Sequence, residues 1–500
     1  MQRSTDHAAI EPYLRDASNY ADGYAEGIVF PETEKEVVEF MRECAANKTA
    51  VTVSGNGGGL TGARVPLGGW VLATDKLGGL RDLQRGRDGN GAAIVGGPAL
   101  DLETLQHAAR LAGFFYPPDP TRRSSFLGGT VATNASGPRT FQYGATRAFV
   151  RRLRVVLASG EVTELVRGRI QANDAGILPI PATDSAGRTR TISIPVPKYK
   201  MPDLKHAAGY YAKPGMDAID LFIGSEGTLG ITTEIEVGLL PNPGHVFAML
   251  VFFPSEEKAW QFAEEARERS RHNRKAQNDA AVSARALEYF DGAALNFMRP
   301  HYQDIPAAAR AAIYIEQECQ AETQDFLLEQ WYILFENHGA FYETPWLAED
   351  EEALERLHAF RHGVAEQVRQ WLQEHGRRKI GTDYAVPAHQ FAALMRLHRE
   401  GLEANDLQGV TFGHIGDCHV HLNILPRTEE QSRLARVLYE IFVDKVLAMG
   451  GTISAEHGVG KLKRDAFRQM VGDQVLAEMA AAKLILDPKG LLGRGNLFPG

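Results

Sequence analysis

The stretch Gly55-Asn56-Gly57-Gly58-Gly59-Leu60-Thr61-Gly62 has five glycines in eight residues and directly follows the β-branched run Val51-Thr52-Val53. A backbone without Cβ atoms can turn sharply and press its N–H groups against an anion. The spacing of Gly57, Gly59 and Gly62 also matches G-x-G-x-x-G, which indicates a dinucleotide site where a helix follows. The stretch therefore predicts a loop that binds the pyrophosphate of a nucleotide cofactor.

The residues after this loop indicate which architecture it belongs to. A Rossmann unit needs a helix directly after the glycine motif, but Pro66 removes a backbone donor and the pair Gly68-Gly69 breaks any helix. The sequence therefore disfavours a Rossmann turn, and with it NAD as the bound cofactor. A pyrophosphate-binding loop in another fold is the reading that remains.

Further motifs follow along the chain in a fixed order. They are YPPDP at 116–120, LGGTVATNASGPR at 127–139, YG at 143–144, GSEGTLGI at 224–231, GHIGD at 413–417, SAEHG at 454–458 and LDPKG at 486–490. Together with the first loop they resemble the vanillyl-alcohol-oxidase, or PCMH-type, FAD flavoproteins. Within that superfamily they are most similar to the branch of D-lactate, glycolate and D-2-hydroxyglutarate dehydrogenases, and the resemblance spans nearly the whole chain.

The resemblance implies which residues bind FAD. The glycine loop and the stretch 118–134 would contact the pyrophosphate and the isoalloxazine ring, and residues 224–231 would support the adenosine side. The implied cofactor-binding residues are Gly55, Gly57, Gly58, Gly59, Leu60, Thr61, Pro118, Asp119, Gly128, Gly129, Thr133, Asn134, Gly137, Tyr143, Gly224, Glu226, Gly227, Gly230 and Ile231. Covalent attachment needs a His, Cys or Tyr at the ring, and neither glycine-rich segment contains one, so we expect noncovalent FAD.

The overall composition fits a globular enzyme. A chain of 500 residues with 44% hydrophobic content can form two or three packed domains, and a formal net charge of −9 argues against a nucleic-acid partner. The three cysteines are too few and too widely spaced for a disulfide framework. No apolar run approaches the ~20 residues of a membrane span, and the N-terminus lacks the apolar core of a signal peptide. We therefore expect a cytoplasmic protein with no transmembrane segment.

The alternation of helical and strand patterns predicts an α+β protein. Residues 1–242 are expected to form a two-part PCMH-type FAD-binding domain, which closes at the linker Leu240-Pro241-Asn242-Pro243. Residues 243–428 would form an α+β cap domain with an antiparallel sheet, and residues 429–500 a C-terminal helical segment that returns to the FAD domain. A capping box of Thr33 and Glu36 predicts an early helix, and residues 167–200 read as an inserted hairpin.

A histidine-rich strand is predicted near residue 420. Side chains alternate along a strand, so His419, His421 and Asn423 would share one face while apolar residues between them face the core. Three histidines, counting His414, lie within eight residues. Neutral imidazole is a good ligand for zinc, manganese or iron, and a carboxylate would complete such a site.

Glu456 is the candidate carboxylate, because it stands beside His457 in a glycine-flanked loop that can bring both side chains to a cavity. The family pattern implies a divalent metal, zinc or manganese with iron as a further option, on His414, His421 and Glu456, and makes His457 the catalytic base. Cys418 and His419 stand where the family usually has Gly-Asn. The sequence leaves open whether either residue is a fourth ligand or only reshapes the pocket.

An anionic substrate needs cationic donors, and arginine matches a carboxylate with two parallel bonds. Arg361 follows an aromatic residue on a predicted cap helix, as the substrate-binding arginine of the relatives does. Many relatives also place a lysine where this chain has Gly381, with Lys379 nearby instead. We expect Arg361, Asn423 and Lys379 to contact the substrate, and the missing lysine leaves the identity of that substrate open.

The sequence thus predicts FAD-dependent, metal-assisted oxidation of a D-2-hydroxy acid, such as lactate, 2-hydroxyglutarate or glycolate, to the 2-keto acid, with hydride transfer to flavin N5. The electron acceptor, an electron-transfer protein or a quinone, and a homodimer are left open. The alternative is a flavin-dependent transferase resembling alkylglycerone-phosphate synthase, although that branch carries adjacent histidines. A P-loop enzyme is excluded, because Gly458-Val459-Gly460-Lys461 lacks the upstream glycine and the following Ser or Thr.

Overall fold

A computed structural model of the chain describes residues 1–18, 20–85, 91–343 and 345–499. The first of three sheets carries the glycine loop and consists of β1 (Gln2–Ser4), β2 (Gly27–Phe30), β3 (Val51–Ser54) and β4 (Trp70–Ala73). Its order is β1-β2-β4-β3, with β1 antiparallel to β2 and the other neighbours parallel. The glycine loop begins directly at the end of β3, so the sheet fixes where the loop starts.

The second sheet is antiparallel throughout the described residues. Its strands are β5 (Leu80–Arg85), β6 (Ala92–Gly96), β7 (Phe114–Phe115), β8 (Val150–Val156), β9 (Val162–Val166), β10 (Ile177–Thr183), β11 (Thr189–Pro195) and β12 (Ile231–Pro241). The order is β11-β10-β9-β8-β12-β6-β5, and β7 pairs with β12. The hairpin of β10 and β11 is the one predicted for residues 167–200, so that prediction is confirmed.

Short helices surround these two sheets. They are α1 (His7–Ile10), α2 (Glu34–Asn47), α3 (Leu102–Leu111), α4 (Leu127–Ala132), α5 (Thr140–Tyr143) and α6 (Ala218–Phe222). Thr33 caps α2 by accepting a hydrogen bond from the Glu36 N–H, which confirms the predicted helix start. The α4 helix contains the Gly128-Gly129 pair, so this second glycine segment is presented as a rigid turn of helix.

The third sheet forms the body of the cap and is also antiparallel. It comprises β13 (His245–Phe253), β14 (Ala284–Asp291), β15 (Ala311–Cys319), β16 (Trp346–Ala348), β17 (Ile380–Gly381), β18 (Tyr384–Ala385), β19 (Gly409–Gly413) and β20 (His419–Ile424). The order is β16-β13-β15-β14-β19-β20-β17, with β18 beside β20. Strand β14 is therefore next to the β19–β20 hairpin that carries the histidines.

Helices cover both faces of this sheet. They are α7 (Glu256–Lys275), α8 (Gly292–Met298), α9 (Gln324–Asn337), α10 (Glu351–Glu374) and α11 (Phe391–Ala404). Alternate residues of β13 enter two different cores: Phe247 and Met249 belong to one with Trp331 of α9, whereas Leu250 belongs to the other with Phe360 of α10. Because α10 covers the second face, Arg361 on that helix reaches the sheet close to β14.

The last segment returns to the first sheet. It contains α12 (Glu429–Ala448) and α13 (Arg464–Leu486), which kinks at Gly472. The Val51 N–H donates to the Leu491 carbonyl at 2.8 Å, and the Lys461 N–H donates to the Thr61 carbonyl at 2.9 Å. These bonds tie the end of the chain to β3 and to the glycine loop. The division into units of 1–242, 243–428 and 429–500 remains our proposal.

Candidate active site

A groove runs along the glycine loop and α4 towards the cap. Its lining includes these predicted cofactor-binding residues: Gly55, Gly57, Gly58, Gly59, Leu60, Gly128, Gly129, Thr133, Gly137, Glu226, Gly227 and Gly230. Arg122 and Phe126 also line it; they lie within the predicted stretch 118–134 but were not named individually. At its far end the groove reaches His414, Glu456 and His457. One continuous groove therefore joins the glycine-rich segments to the residues predicted to carry chemistry.

Other predicted cofactor-binding residues do not line this groove. They are Thr61, Pro118, Asp119, Asn134, Tyr143, Gly224 and Ile231. Asn134 and Gly224 line a neighbouring cavity instead, and the Tyr143 hydroxyl donates to Glu318 of the cap. Ile231 is buried in β12 opposite Val156. The sequence prediction assigned whole motifs to FAD, whereas only some residues of each motif line the groove.

The glycine-rich walls of the groove leave room for a nucleotide cofactor and its pyrophosphate. A Cβ on Gly129 would have no protein atom within 4 Å, so this position faces open space. Gly57 and Gly227 have φ values of 72° and 70°, in the left-handed region that favours glycine. The walls are therefore backbone whose N–H groups an anion can approach, with the Arg122 side chain in the same lining. These residues fit FAD.

Glu226 joins the groove to the loop that follows Glu456. Its carboxylate accepts the Val459 N–H at 2.8 Å and the Gly460 N–H at 2.7 Å. Burial raises the pKa of Glu226 to about 7, although the two backbone bonds act in the opposite direction. The Glu226 carboxylate thus connects the groove-lining segment 224–231 to the loop at 459–460 in the C-terminal part of the chain.

The predicted metal ligands come from two places and meet at Glu456. The β19–β20 hairpin contributes His414 and His421, and the loop after α12 contributes the carboxylate. His421 Nε2 lies 3.0 Å from Glu456 Oε1, and His414 Nε2 lies 3.4 Å from Glu456 Oε2. A ring nitrogen of His419 joins this set, and the four ligand atoms lie within 4.8 Å of one another. Imidazole and carboxylate at these separations fit a divalent transition metal.

Asp383 organises the loop that carries Glu456 and His457. This wholly buried carboxylate accepts the His457 N–H at 3.0 Å and the Lys463 ammonium at 2.7 Å. Burial alone would raise the pKa of Asp383, but the contacts with the His457 and His419 imidazoles and with the Lys463 ammonium hold it well below its usual range. Asp383 is thus an anion that fixes the loop, and it was not among the predicted site residues.

His457 is stacked on His421, with ring centroids 5.0 Å apart and planes inclined by 10°. Its Nδ1 lies 3.4 Å from Asp383 Oδ2, and its Nε2 lies 3.6 Å from Glu456 Oε1. Burial lowers the pKa of His457 to about 4, so its imidazole is neutral near pH 7. A neutral imidazole with a carboxylate at Nδ1 can accept a proton at Nε2.

Glu288 is a functional candidate that sequence reasoning missed. Its Oε2 accepts a hydrogen bond from Arg361 Nε at 3.1 Å, and its Oε1 lies 2.7 Å from His414 Nδ1. Burial alone would lower the pKa of His414, but the negative charge of Glu288 raises it to about 9. The available signal was a carboxylate between the apolar neighbours Leu287 and Tyr289 in β14, a strand that is buried along its whole length.

Lys205 is the second missed candidate. Its ammonium lies 2.9 Å from Glu456 Oε2, and the Ser136 hydroxyl donates to the same oxygen at 2.9 Å. Both groups therefore hold Glu456 from the side opposite His421. Lys205 belongs to the wall of the neighbouring cavity, and nothing in its local sequence pointed to Glu456.

The other predicted substrate residues contact each other. Lys379 Nζ donates to Asn423 Oδ1 at 2.6 Å, and burial lowers the pKa of Lys379. Asn423 lies opposite Gly381 across the β17–β20 pairing, so Lys379 reaches the face of β20 that also carries His421. The structure thus brings Lys379 and Asn423 together at β20. Arg361 is connected to the histidine cluster through Glu288, which contacts both Arg361 and His414.

The fold and the site define an FAD-linked oxidase. Residues 25–165 match the family described as FAD binding domain, and residues 242–497 match the family described as FAD linked oxidases, C-terminal domain. The second match alone covers more than half of the chain. The chain therefore belongs to the FAD-linked oxidase family, and the predicted resemblance to FAD-dependent oxidoreductases is confirmed.

Individual relatives span nearly all of the chain. It is 26% identical to glycolate oxidase subunit GlcD of Bacillus subtilis (strain 168), over 97% of this chain and 92% of that protein. It is 27% identical to D-2-hydroxyglutarate dehydrogenase of Stutzerimonas stutzeri (strain A1501), over 99% and 95% of the two chains. It is also 27% identical to the probable mitochondrial D-lactate dehydrogenase of Danio rerio, over 99% and 88%.

A solved structure of an alkyldihydroxyacetonephosphate synthase resembles the fold, with a TM-score of 0.67 at 16% identity, covering 98% of this chain and 83% of that chain. This likeness shows the fold alone, and it confirms the predicted α+β architecture. Within the described residues, no helix combines the length and the apolar character that crossing a bilayer requires.

Proposed function

We propose that this enzyme oxidises a D-2-hydroxy acid to the 2-keto acid with noncovalently bound FAD and a divalent metal ion. The observation that carries the proposal is the groove itself, because the glycine-rich walls and the cluster of His414, Glu456 and His457 line one continuous space. Relatives over nearly the full length are named for the oxidation of glycolate, D-lactate and D-2-hydroxyglutarate. Each of these three compounds is an α-hydroxy carboxylate.

Each residue of the cluster has a separate task in this proposal. When bound, FAD supplies an acceptor for the two electrons that the substrate loses, and the divalent ion on His414, His421 and Glu456 supplies a Lewis acid for the substrate oxygens. His457 Nε2 takes the proton of the substrate hydroxyl. Asp383, 3.4 Å from Nδ1, keeps the other ring nitrogen protonated, so that Nε2 is the basic atom.

Arg361 is proposed to hold the carboxylate of the substrate. Its Nε is bonded to Glu288, which fixes the guanidinium plane before the substrate arrives. A planar guanidinium matches a carboxylate with two parallel bonds, which selects an acid over a neutral alcohol. The bonded pair Lys379 and Asn423 is proposed as a further contact on the β20 side.

The experiment that tests the proposal is anaerobic reduction of the bound flavin by a panel of D- and L-2-hydroxy acids. We expect bleaching of the visible flavin band by at least one D-2-hydroxy acid and none by its L enantiomer. Glu456→Gln should abolish bleaching while leaving the flavin content unchanged, because Glu456 contacts His414 and His421 rather than the glycine walls. A purified protein without flavin would contradict the proposal.

The same experiment separates the rival transferase. A transferase turns its flavin over without net oxidation, so hydroxy acids would leave the visible band intact. The resemblance to the synthase structure is one of fold and does not favour that reaction. The electrons removed in an oxidation must also leave the enzyme, and we propose an electron-transfer protein or a quinone as the acceptor.

A further inference from the structure

His419 is a buried imidazole with unsatisfied hydrogen-bonding capacity. Its side chain has no exposed surface, and its Nδ1 has no hydrogen-bond partner within the described part of the chain. Its Nε2 faces Asp383 Oδ1 at 3.0 Å. A buried polar atom without a partner destabilises the folded state, so such an atom in a folded protein calls for a specific explanation.

Burial alone does not explain why His419 lacks a partner at Nδ1, as a comparison with a second buried histidine shows. His398 is also buried, and both of its ring nitrogens are without hydrogen-bond partners in the described residues. It packs between the rings of Phe442, 5.1 Å away, and Tyr384, 6.3 Å away. His398 is therefore a hydrophobically packed imidazole, whereas His419 lies among ionisable groups.

The surroundings of His419 are metal-binding groups. Its ring centroid is 4.5 Å from that of His421 and 5.2 Å from that of His414. One ring nitrogen from each of these three histidines and one Glu456 oxygen all lie within 4.8 Å of one another. The alternation along β20 explains the contact, because His419 and His421 are two residues apart and share a face of the strand.

We propose that this chain binds its divalent ion through four protein ligands, His414, His419, His421 and Glu456, rather than three. The inference rests on the proposed function for the presence of a metal and adds the ligand set. The family that the sequence resembles usually has asparagine at the position of His419. The fourth ligand is therefore a property of this chain.

The ligand count bears on the choice of metal. A 2-hydroxy acid held through its hydroxyl and one carboxylate oxygen needs two further coordination positions. Four protein ligands and two substrate oxygens make six, which suits Mn²⁺ or Fe²⁺. A four-coordinate zinc ion would already be saturated by the protein, as in structural zinc sites. The proposal therefore favours manganese or iron over zinc.

The test counts the imidazole nitrogens bound to the ion. The flavin-containing enzyme is labelled with ¹⁵N-histidine, loaded with Mn²⁺ and measured by electron–nuclear double resonance. We expect three coordinated imidazoles in the parent and two in His419→Asn, together with a loss of Mn²⁺ affinity of at least about tenfold. The flavin spectrum of His419→Asn reports whether the variant is folded, and asparagine is the residue usual in the family.

His398→Asn is the matched control, because it also removes a buried imidazole without hydrogen-bond partners but lies outside the cluster. It should keep three coordinated imidazoles and the parent affinity. Two imidazoles in both the parent and His419→Asn would overturn the fourth ligand while leaving the proposed function intact. A parent enzyme that is active without any stoichiometric metal would overturn the metal-assisted function and this inference together.

Discussion

The two ends of the groove differ in the groups that line them: glycine backbone at one end and ionisable side chains at the other. Around Gly129 and Gly227 the walls are backbone, and the absence of side chains there leaves the groove open. Around Glu456 the walls are ionisable side chains, each held by another: Lys205 and Ser136 on one side, His421 on the other. Under the proposed function, cofactor retention and chemistry depend on separate residues, so substitutions should be able to remove one and spare the other.

The largest effect is expected at the backbone end. Gly129→Leu introduces a side chain where a Cβ would meet no protein atom within 4 Å, so the protein should fold and the leucine should occupy the groove. We expect the variant to purify without flavin and without activity, as measured by the visible spectrum and by denaturation release.

Gly244→Leu is the matched control, because its Cβ would meet only Gln320 Oε1 at 3.8 Å and the Cys319 carbonyl at 4.0 Å, and it lies between β12 and β13. Its flavin content should equal that of the parent. Full flavin occupancy in Gly129→Leu would mean that the cofactor does not use this wall.

The next effect belongs to the side-chain end. His457→Gln should slow anaerobic flavin reduction at saturating substrate by ~10²–10⁴-fold, because a positioned base contributes on that scale. The flavin content should not change, since the His457 side chain contacts Asp383 and Glu456, and its carbonyl, which accepts from Thr61 of the glycine loop, is kept in the variant. Stopped-flow absorbance measures the rate constant directly, and an unchanged rate would remove His457 from the mechanism.

Glu288→Gln probes how the cluster is held. Glu288 touches both His414 and Arg361, so its amide variant should weaken metal binding by about 10–100-fold and raise KM, while flavin content stays constant. Chelator-competition titration gives the metal affinity.

Glu316→Gln provides the comparison for that variant. Glu316 is an equally buried carboxylate on the neighbouring strand β15, paired with Arg285 at 2.6 Å and without a contact to His414. It should keep the parent metal affinity. Equal losses in the two variants would mean that general loosening of the cap, and not the bridge through Glu288, sets the affinity.

The smallest effect is a pH dependence of stability at Glu226. Burial raises the pKa of Glu226 from 4.5 to about 7, so between these values the folded state keeps a proton that the unfolded state loses. The free energy of unfolding from this group is therefore greatest below about pH 4.5 and falls as pH rises towards 7, by at most about 1.4 kcal/mol per pH unit.

Glu226→Gln should flatten this decline, and urea unfolding of parent and variant at several pH values from 5 to 8 measures the difference. Other buried acids, such as Asp291, titrate in both proteins and cancel in the comparison. Identical pH profiles would show that the Val459 and Gly460 N–H bonds keep Glu226 ionised throughout.

The sequence predicted what is encoded locally. The glycine loop after β3, the Thr33 cap of α2 and the shared face of His419 and His421 follow from neighbouring residues, because turns, caps and strand alternation act over a few positions. The family resemblance added the FAD and the order of the motifs. These features fixed the class of enzyme before any tertiary contact was known.

The contacts of Lys205 and Glu288 with the cluster were not predicted. Lys205 and Glu456 meet at 2.9 Å although they are far apart in the chain, and Glu288 meets His414 only because β14 and β19 are neighbours in the third sheet. Sheet order depends on how the whole chain packs, and single residues carry no local signal of it. The partners that hold the cluster therefore became visible only in the structure.

The return of the chain end to β3 has a consequence for biosynthesis. A ribosome releases the glycine loop about 430 residues before Leu491, the residue whose carbonyl accepts the Val51 N–H. At about 5–20 residues per second this interval lasts roughly 20 to 90 s. The nascent FAD domain lacks the Val459 and Gly460 bonds to Glu226 for most of that time, and the Leu491 bond to β3 for all of it. These bonds can therefore form only after residues 459, 460 and 491 have left the ribosome, long after the glycine loop itself.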